Sequence, residues 1–506
     1  MMLSKRILSD RFLSQKLNLH ERLFALPERV IQFGTGVLLR GLPDYFIDRA
    51  NKEGVFNGRI VAVKSTGSNK DDFDRQDCMF THFIRGIQNG QPVRDQVVNL
   101  SLSRVLLAAQ DWHEVLRCAA NPEIQLIISN TTEVGISLVR DNVHASPPTS
   151  FPGKLLAFLY QRYKVFNGNT QKGMVIIPTE LIPNNADQLL SILLELAHQN
   201  GFESSFLDWL ENANEFCNSL VDCIVPGKLP AREKMEMEES LGYEDELMIM
   251  SEPYRLWAIQ SSSERVKHLL CFADADEGVV VARDISVFRE LKLRLLNGAH
   301  TFCCGPAHLA GFKTVRESMQ DKTFNSFVRG IMEEEIIPAI SGGQITADQA
   351  SEFAEKVIGR FDNPFIEHSW LSITLQYSSK MNLRNVATLV MYMEKFGTAP
   401  KRMAMALAAH ILFMKSEMDG DGNFYGNANG IPYLITDEHA GYYFGKWQRA
   451  ETGNMVQEIL SNEKLWGRDL GALPGLSDMI EIYLDALRKQ GMVTVMRNAV
   501  RLNKSI

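Results

Sequence analysis

Between residues 28 and 290 the chain alternates two patterns. Short runs, ERVIQFG (28–34), GRIVAVKS (58–65), IQLIISNT (124–131) and GMVIIPTE (173–180), are apolar at nearly every position and rich in β-branched residues. A strand wetted on one face would alternate polar and apolar, so these runs predict strands buried on both faces of a parallel sheet. Between them lie amphipathic stretches such as LLRGLPDYFIDRANKEG (38–54) and VLLAAQDWHEVLRCAAN (105–121), which predict helices. The strand–helix–strand rhythm is that of a doubly wound sheet.

After about residue 285 the period changes. Segments 285–303, 323–339, 347–360, 386–395, 401–416, 454–461 and 476–491 read mainly as helices, joined by Gly, Pro and Asn turns. The expected architecture is α/β + α: a Rossmann-like, dinucleotide-binding type of domain over 1–283, then a mainly α-helical domain over 284–506. No internal repeat or low-complexity linker interrupts it.

Composition narrows the class. The chain has 506 residues, 45% hydrophobic and 23% charged, with a net charge of -8. These proportions are ordinary for a soluble protein of several domains. The negative balance argues against a broad nucleic-acid surface, which rests on clustered Lys and Arg. The start, MMLSKRILSD, has no apolar core of a secretory signal, and no stretch approaches a membrane span. Seven scattered cysteines without a CxxC pair fit reduced thiols. The expectation is a cytoplasmic protein with a small-molecule ligand, no membrane and no nucleic-acid partner.

Candidate chemistry begins where the first strand ends. Phe33-Gly34-Thr35-Gly36 joins that strand to a helix. Such a turn lets the backbone approach a pyrophosphate, although position 39, where a third glycine is usual, is Leu. The second strand ends Val63-Lys64-Ser65-Thr66, without the acid that often holds the adenosine ribose, which leaves NAD or NADP open. The loop Ser129-Asn130-Thr131-Thr132-Glu133-Val134-Gly135 could bond a cofactor ribose or simply form a strand-end turn.

The segment Glu290–His300 is the most informative. On an α-helix, Lys292, Asn297 and His300 fall within an arc of roughly 140° and can face one cleft. Reducing a ketone by hydride transfer needs a proton donor at the forming alkoxide, and a lysine in a cleft suits that work. An amide and an imidazole can polarise the same oxygen, although a solvent-facing side of a helix would show the same three residues. Gly298 inside a helix costs about 1 kcal/mol relative to Ala, which makes sense where something approaches closely.

The ordered set of motifs resembles the mannitol dehydrogenase family of long-chain polyol dehydrogenases and hexuronate reductases. It runs from Ile31-Gln32-Phe33-Gly34-Thr35-Gly36 with Arg40, through Thr131-Thr132-Glu133 and Leu220-Val221-Asp222 with Pro226, to Lys292–His300 and Ser378-Ser379-Lys380. It covers roughly residues 28 to 490, and GRFDNPFIEH (359–368) is similar to the hexuronate branch. The resemblance implies a metal-free oxidoreductase that uses NAD, with NADP not excluded, and interconverts D-tagaturonate and D-altronate. Fructuronate or mannitol oxidation with the same machinery, or a nucleotide sensor without catalysis, are the alternatives.

By the same resemblance Lys292 is the general acid/base, and Asn297 and His300 touch the reacting oxygen. Phe33, Gly34, Thr35, Gly36, Thr131, Thr132 and Glu133 serve the cofactor, while Asp222 and Lys380 line the substrate site. The chain departs from the family at Thr179-Glu180-Leu181, where many members have Cys-Asp-Asn, at Cys223, where many have Arg, and at Ser372, where polyol-specific members have Arg. Asn185 is a candidate substitute for the missing amide. A uronate carboxylate needs a cation, and Lys380, Arg360 and Arg402 are candidates. Asp419-Gly420-Asp421-Gly422-Asn423 lacks the later residues of a calcium loop and reads as a polar turn. His300, His308, His368 and His410 show no metal-ligand spacing.

Overall fold

The apolar runs become strands because both of their faces are covered. The first part of the chain holds twelve strands among the described residues: β1 Glu28–Phe33, β2 Arg59–Lys64, β3 Phe80–Gln88, β4 Gln91–Asn99, β5 Leu102–Leu107, β6 Leu126–Ser129, β7 Val175–Pro178, β8 Glu215–Phe216, β9 Ser219–Asp222, β10 Ile249–Ser251, β11 Leu256–Gln260 and β12 Val279–Ala282. Six of them form one parallel sheet in the order β5-β2-β1-β6-β7-β8. Val30, Ala62 and Ile128 point into one hydrophobic cluster, and Ile31, Phe33, Val61, Val63 and Ile127 into another. Each run therefore feeds two cores by simple alternation.

In this computed structural model residues 1–10, 15, 17, 19–131, 135–449 and 454–502 are described, the last three by backbone only. The chain separates into two compact units, Met1–Arg85 with Pro92–Ser286, and Gly86–Gln91 with Val287–Ile506.

Within the six-stranded sheet the chain winds outward from β1 in both directions, so the order reverses between β1 and β6. That reversal opens a crevice at the carboxyl ends of the strands, where such folds bind ligands. Phe33 pairs with Val63 of β2 on one side and Ser129 of β6 on the other, which sets the three strand ends level.

Two helix expectations need correction. The stretch 38–54 is two helices, α1 Val37–Gly41 and α2 Pro43–Lys52, broken at Leu42 with φ -128° and ψ -78°. Pro43 excludes helical geometry for the residue before it and is accommodated in the first turn of α2. In 105–121, Val105–Leu107 end β5, and only Trp112–Cys118 is helical. Pairing with β2 overrides the helix preference of that Leu- and Ala-rich run. The two small sheets, β10-β3-β4 and β12-β11-β9, were not read from the sequence.

The second unit is mainly helical. Helix α3 Ser286–Leu291 runs through a π-helical segment, Lys292–Gly298, into α4 Ala299–Leu309. Further helices are α5 Ala347–Phe361, α6 Tyr377–Met381, α7 Lys401–Phe413 and α8 Leu476–Gln490. Two more π-helical segments are Ile331–Ile336 and Asn382–Val386. α7 is buried over nearly its whole length, which explains the apolar MAMALAA run all round it. A small antiparallel sheet, β13 Glu417–Met418, β14 Phe424–Ala428 and β15 Ile431–Leu434, interrupts the helices. The Asp419 segment is the turn between β13 and β14, and its carboxylate accepts the N–H groups of Asp421 and Asn423 at 3.0 and 2.8 Å. No described helix is long and apolar enough to cross a membrane.

Candidate active site

At the end of β1, Gly34 has φ +130°, a backbone region closed to other residues. A Cβ there would lie 2.7 Å from Leu39 Cδ1 and 3.0 Å from the Asn130 carbonyl oxygen. Leu39, standing where a third glycine is usual, packs under the turn, so Gly34 carries the close approach. Gly36 is exposed, and a Cβ on it would meet nothing within 4 Å. Thr35 accepts a hydrogen bond on its carbonyl from Arg40 Nε at 3.3 Å, and Arg40 also donates to the Leu247 carbonyl. The turn is thus tied down from below and open above. Phe33 does not face that space: its ring lies 5.5 Å from Phe151 and 6.3 Å from Phe158 in the core. It can serve a cofactor only through its backbone.

The loop after β6 meets the same turn through Asn130, whose N–H donates to the Phe33 carbonyl at 3.1 Å. Glu180 organises it. One carboxylate oxygen accepts the Thr131 N–H at 2.8 Å and the Thr131 hydroxyl at 3.1 Å, and the other accepts the Ser129 hydroxyl at 3.2 Å. Burial pushes the Glu180 carboxyl up from its ordinary pKa against these donors. Thr132 and Glu133 lie outside the described residues.

Asn185 departs from the role expected of it. It is fully buried, and its amide donates to the carbonyls of Pro178, Glu180 and Ser219 at 2.9, 3.1 and 3.0 Å. Its oxygen takes the N–H groups of Ala186 and Ser219. With the amide spent on the backbone, Asn185 holds the Glu180 loop and β9 in place. Asp222 is buried at the end of β9, opposite Leu256 of β11.

In the second unit, the helix carrying Lys292, Asn297 and His300 is not α throughout. Lys292–Gly298 is π-helical, with hydrogen bonds reaching five residues instead of four. That offset stacks residue i+5 over residue i, so Lys292 and Asn297 come closer in azimuth than an α-helix would bring them. His300 follows one α-turn later in α4. Each of two neighbouring π segments takes up one carbonyl of the other. Asn385 Nδ2 donates to the Gly298 carbonyl at 3.2 Å, and Arg294 Nη1 to the Arg384 carbonyl at 2.8 Å. Gly298 is where the two approach: a Cβ would stand 3.1 Å from Asn385 Oδ1 and 3.3 Å from the Leu293 oxygen.

His300 stacks on Phe361 at 4.1 Å and 11°, with His368 and Trp370 edge-on at 5.3 and 6.0 Å. Burial drives its pKa well down, helped by His368, Arg360 and Arg384, so the imidazole is neutral and offers one donor and one acceptor. His368 is lowered by burial and by Lys380. Lys380 donates to the Ile373 carbonyl at 3.0 Å and is lowered by burial and then by Arg384. Arg384 Nη1 donates to Thr301 Oγ1 at 3.2 Å, and that hydroxyl donates to the Asn297 carbonyl at 2.9 Å.

Arg402, a candidate for a substrate carboxylate, is already engaged. Its guanidinium takes both Glu334 oxygens at 2.7 and 3.1 Å. Sequence reasoning missed Glu180, weighed His368 only as a metal ligand, and passed over Arg384. The last has a visible signal, because it follows Lys380 by four residues on one helical run.

Comparison with known proteins agrees with this layout. The model of the mannitol dehydrogenase Rossmann domain matches residues 28–269, and that of the mannitol dehydrogenase C-terminal domain matches residues 284–488. The altronate oxidoreductase of Bacillus subtilis (strain 168) is 36% identical over 94% of this chain and 97% of its own length. That of Halalkalibacterium halodurans is 38% identical over 92% of each. Among solved structures, Pseudomonas fluorescens mannitol 2-dehydrogenase in ternary complex with NAD and D-mannitol superposes with a TM-score of 0.67 at 22% identity, covering 99% of this chain and 100% of that one. A substrate-free D-sorbitol dehydrogenase gives 0.75 at 19% identity, covering 97% and 99%. At these identities the structural likeness is one of fold.

Proposed function

The chain belongs to the mannitol dehydrogenase family, and from that membership we propose that it is an NAD-dependent oxidoreductase interconverting D-tagaturonate and D-altronate in hexuronate (galacturonate) catabolism. The carrying observation is the π-helical segment that sets Lys292 and Asn297 on one face, one turn before a neutral His300, in a chain whose curated relatives are altronate oxidoreductases over nearly their full length.

Residues 1–283 serve as the dinucleotide-binding domain. The open space above Gly36, and the absence of room for any side chain at Gly34, fit a pyrophosphate laid against the backbone. Gly34, Thr35, Gly36 and the Phe33 backbone take that part, and Thr131 with Thr132 and Glu133 takes the ribose side. NAD, when bound, accepts or supplies the hydride. Residues 284–506 hold the substrate. Lys292 gives a proton to the carbonyl oxygen during reduction and takes one from the hydroxyl during oxidation. Asn297 and His300 hold and polarise that oxygen. Lys380 grips the rest of the sugar acid. The reading is of a cytoplasmic enzyme acting on a small molecule.

The test is oxidation of NADH, and separately of NADPH, with D-tagaturonate, D-fructuronate and D-fructose in parallel. Preferential turnover of tagaturonate with NADH is the expected result. Preference for another ketose keeps the machinery and moves the specificity. Tight nucleotide binding without turnover of any of the three overturns the enzymatic reading in favour of a sensor.

A further inference from the structure

The second unit gathers cations where a chain left to itself would scatter them. Lys380 and Arg384 stand four residues apart on the run from α6 into the π segment Asn382–Val386. Each is anchored to the site rather than to solvent, Lys380 through the Ile373 carbonyl and Arg384 through Thr301 and so to the Asn297 carbonyl. Arg360 immediately precedes Phe361, on whose ring His300 stacks. His368 presents its edge to His300 at 5.3 Å.

His300 feels the cations Arg360 and Arg384 and lies beside the His368 ring, and His368 in turn feels Lys380. Lys380 feels the charge of Arg384, and both lie near the buried Cys304 thiol. Like charges brought close repel, and an anion bound at Lys380 and Arg384 relieves that repulsion.

We propose that Arg384, with Lys380 and His368, forms the receptor for the substrate's carboxylate, and that this receptor sets the preference for a uronate over the matching neutral ketose. The proposal rests on the oxidoreductase reading and names the group that the notional sugar acid adds to a polyol. Arg384 supplies the planar fork that a carboxylate accepts in two parallel hydrogen bonds. Lys380 supplies a second charge. His368, neutral, adds a hydrogen bond without repelling its neighbours. Ser372, where polyol-specific members carry Arg, leaves the cation to come from Arg384, one turn beyond Lys380.

The experiment compares D-tagaturonate with D-tagatose, which has CH2OH in place of the carboxylate, in the wild type and in Arg384→Gln, Arg384→Lys and His368→Asn. Circular dichroism melts confirm that each variant is folded. In Arg384→Gln the KM for tagaturonate rises about 10- to 100-fold, as expected for a lost hydrogen bond to a charged group, and kcat/KM for tagaturonate falls at least about tenfold more than that for tagatose. Arg384→Lys recovers part of the loss. His368→Asn shifts the same ratio in the same direction by a smaller factor. Equal losses on both substrates in Arg384→Gln and His368→Asn overturn the proposal and make both side chains structural. If the wild type turns over tagatose as well as tagaturonate, the receptor is also refuted although the oxidoreductase reading stands. If it turns over neither, the functional reading itself has failed.

Discussion

At the scale of the residue, identity and role separate. Lys292, Asn297 and His300 stand out as a set through the family resemblance; their types suit a ketone reduction and their spacing allows one side of a helix, but spacing alone would fit a solvated face equally well. Asn185 shows the limit of that reasoning. The family resemblance offers it as a substitute for a missing amide, yet its own amide is spent on three backbone carbonyls. Glu180 was visible only as a departure from a pattern, and it is the residue on which the Thr131 loop hangs. Neither role could be read from type and position, since each depends on which backbone groups arrive from elsewhere in the fold. The role of Lys292 is testable by itself. Lys292→Ala is expected to lower kcat by about 10²- to 10⁴-fold, the usual worth of a general acid/base. NADH affinity, followed by fluorescence titration, should stay within about threefold. Near-normal turnover would remove Lys292 from the chemistry.

At the scale of the element, the lesson is the π segment. The run from 285 reads as a plain helix because its apolar positions fit a period of 3.6, and one extra residue in a turn barely disturbs that count. The segment is paired with a second π segment, Asn382–Val386, whose Asn385 donates to the Gly298 carbonyl and whose own Arg384 carbonyl is taken by Arg294. Gly298 was flagged as a costly residue awaiting a close neighbour. The neighbour is this paired element, with Asn385 Oδ1 at 3.1 Å from where a Cβ would stand. In an ordinary helix Gly→Ala is stabilising by about 1 kcal/mol. Here Gly298→Ala is expected to lower the melting temperature and to cut kcat more than it changes NADH affinity, because pushing Asn385 away disturbs the segment between Lys292 and Asn297. A higher melting temperature with unchanged kcat would show that the segment has room to spare.

At the scale of the whole molecule, buried ionisable groups make stability depend on pH, and the signs can be worked out. Asp44 lies wholly buried in α2 near Arg40, and burial raises its pKa from 3.8 to about 8. Glu335 accepts the Arg402 and Met403 N–H groups at the start of α7 at 2.7 and 2.8 Å, and burial raises it from 4.5 to about 7. A carboxyl with a raised folded pKa stabilises fully below its unfolded value, and that contribution is lost as pH rises through the folded value. His82 and His410 act in the opposite sense. Burial lowers them from 6.5 to about 3 and about 4, so their contribution is present above 6.5 and is lost on acidification. The two trends oppose each other between about pH 4.5 and 6.5. Above 6.5 the carboxyls act alone, so the melting temperature is expected to fall between pH 6.5 and 8. Asp44→Asn should flatten that fall, with the gap between variant and wild type widening as pH rises. A pH-independent gap would show that Asp44 is ionised in the folded protein.

What the sequence determined by itself is the class of fold and the choice of chemistry. Runs such as ERVIQF and RIVAVK suit strands buried between two cores. The ordered motifs from Gly34 to Lys380 resemble one family, which is what points to Lys292, Asn297 and His300; their spacing alone would also suit a wet helix face. What only the tertiary structure decided is everything that needs a second segment. The edge strand at Leu102–Leu107 exists because β2 pairs with it, the small sheets because their strands find partners far along the chain, and the pairing of the two π segments rests on residues about ninety positions apart. Engagement of Arg402 by Glu334 and the gathering of Lys380, Arg384 and His368 beside His300 belong to the same category. Local pattern records what a segment prefers in isolation. Pairing, burial and charge come from groups distant in sequence, and no window along the chain contains them.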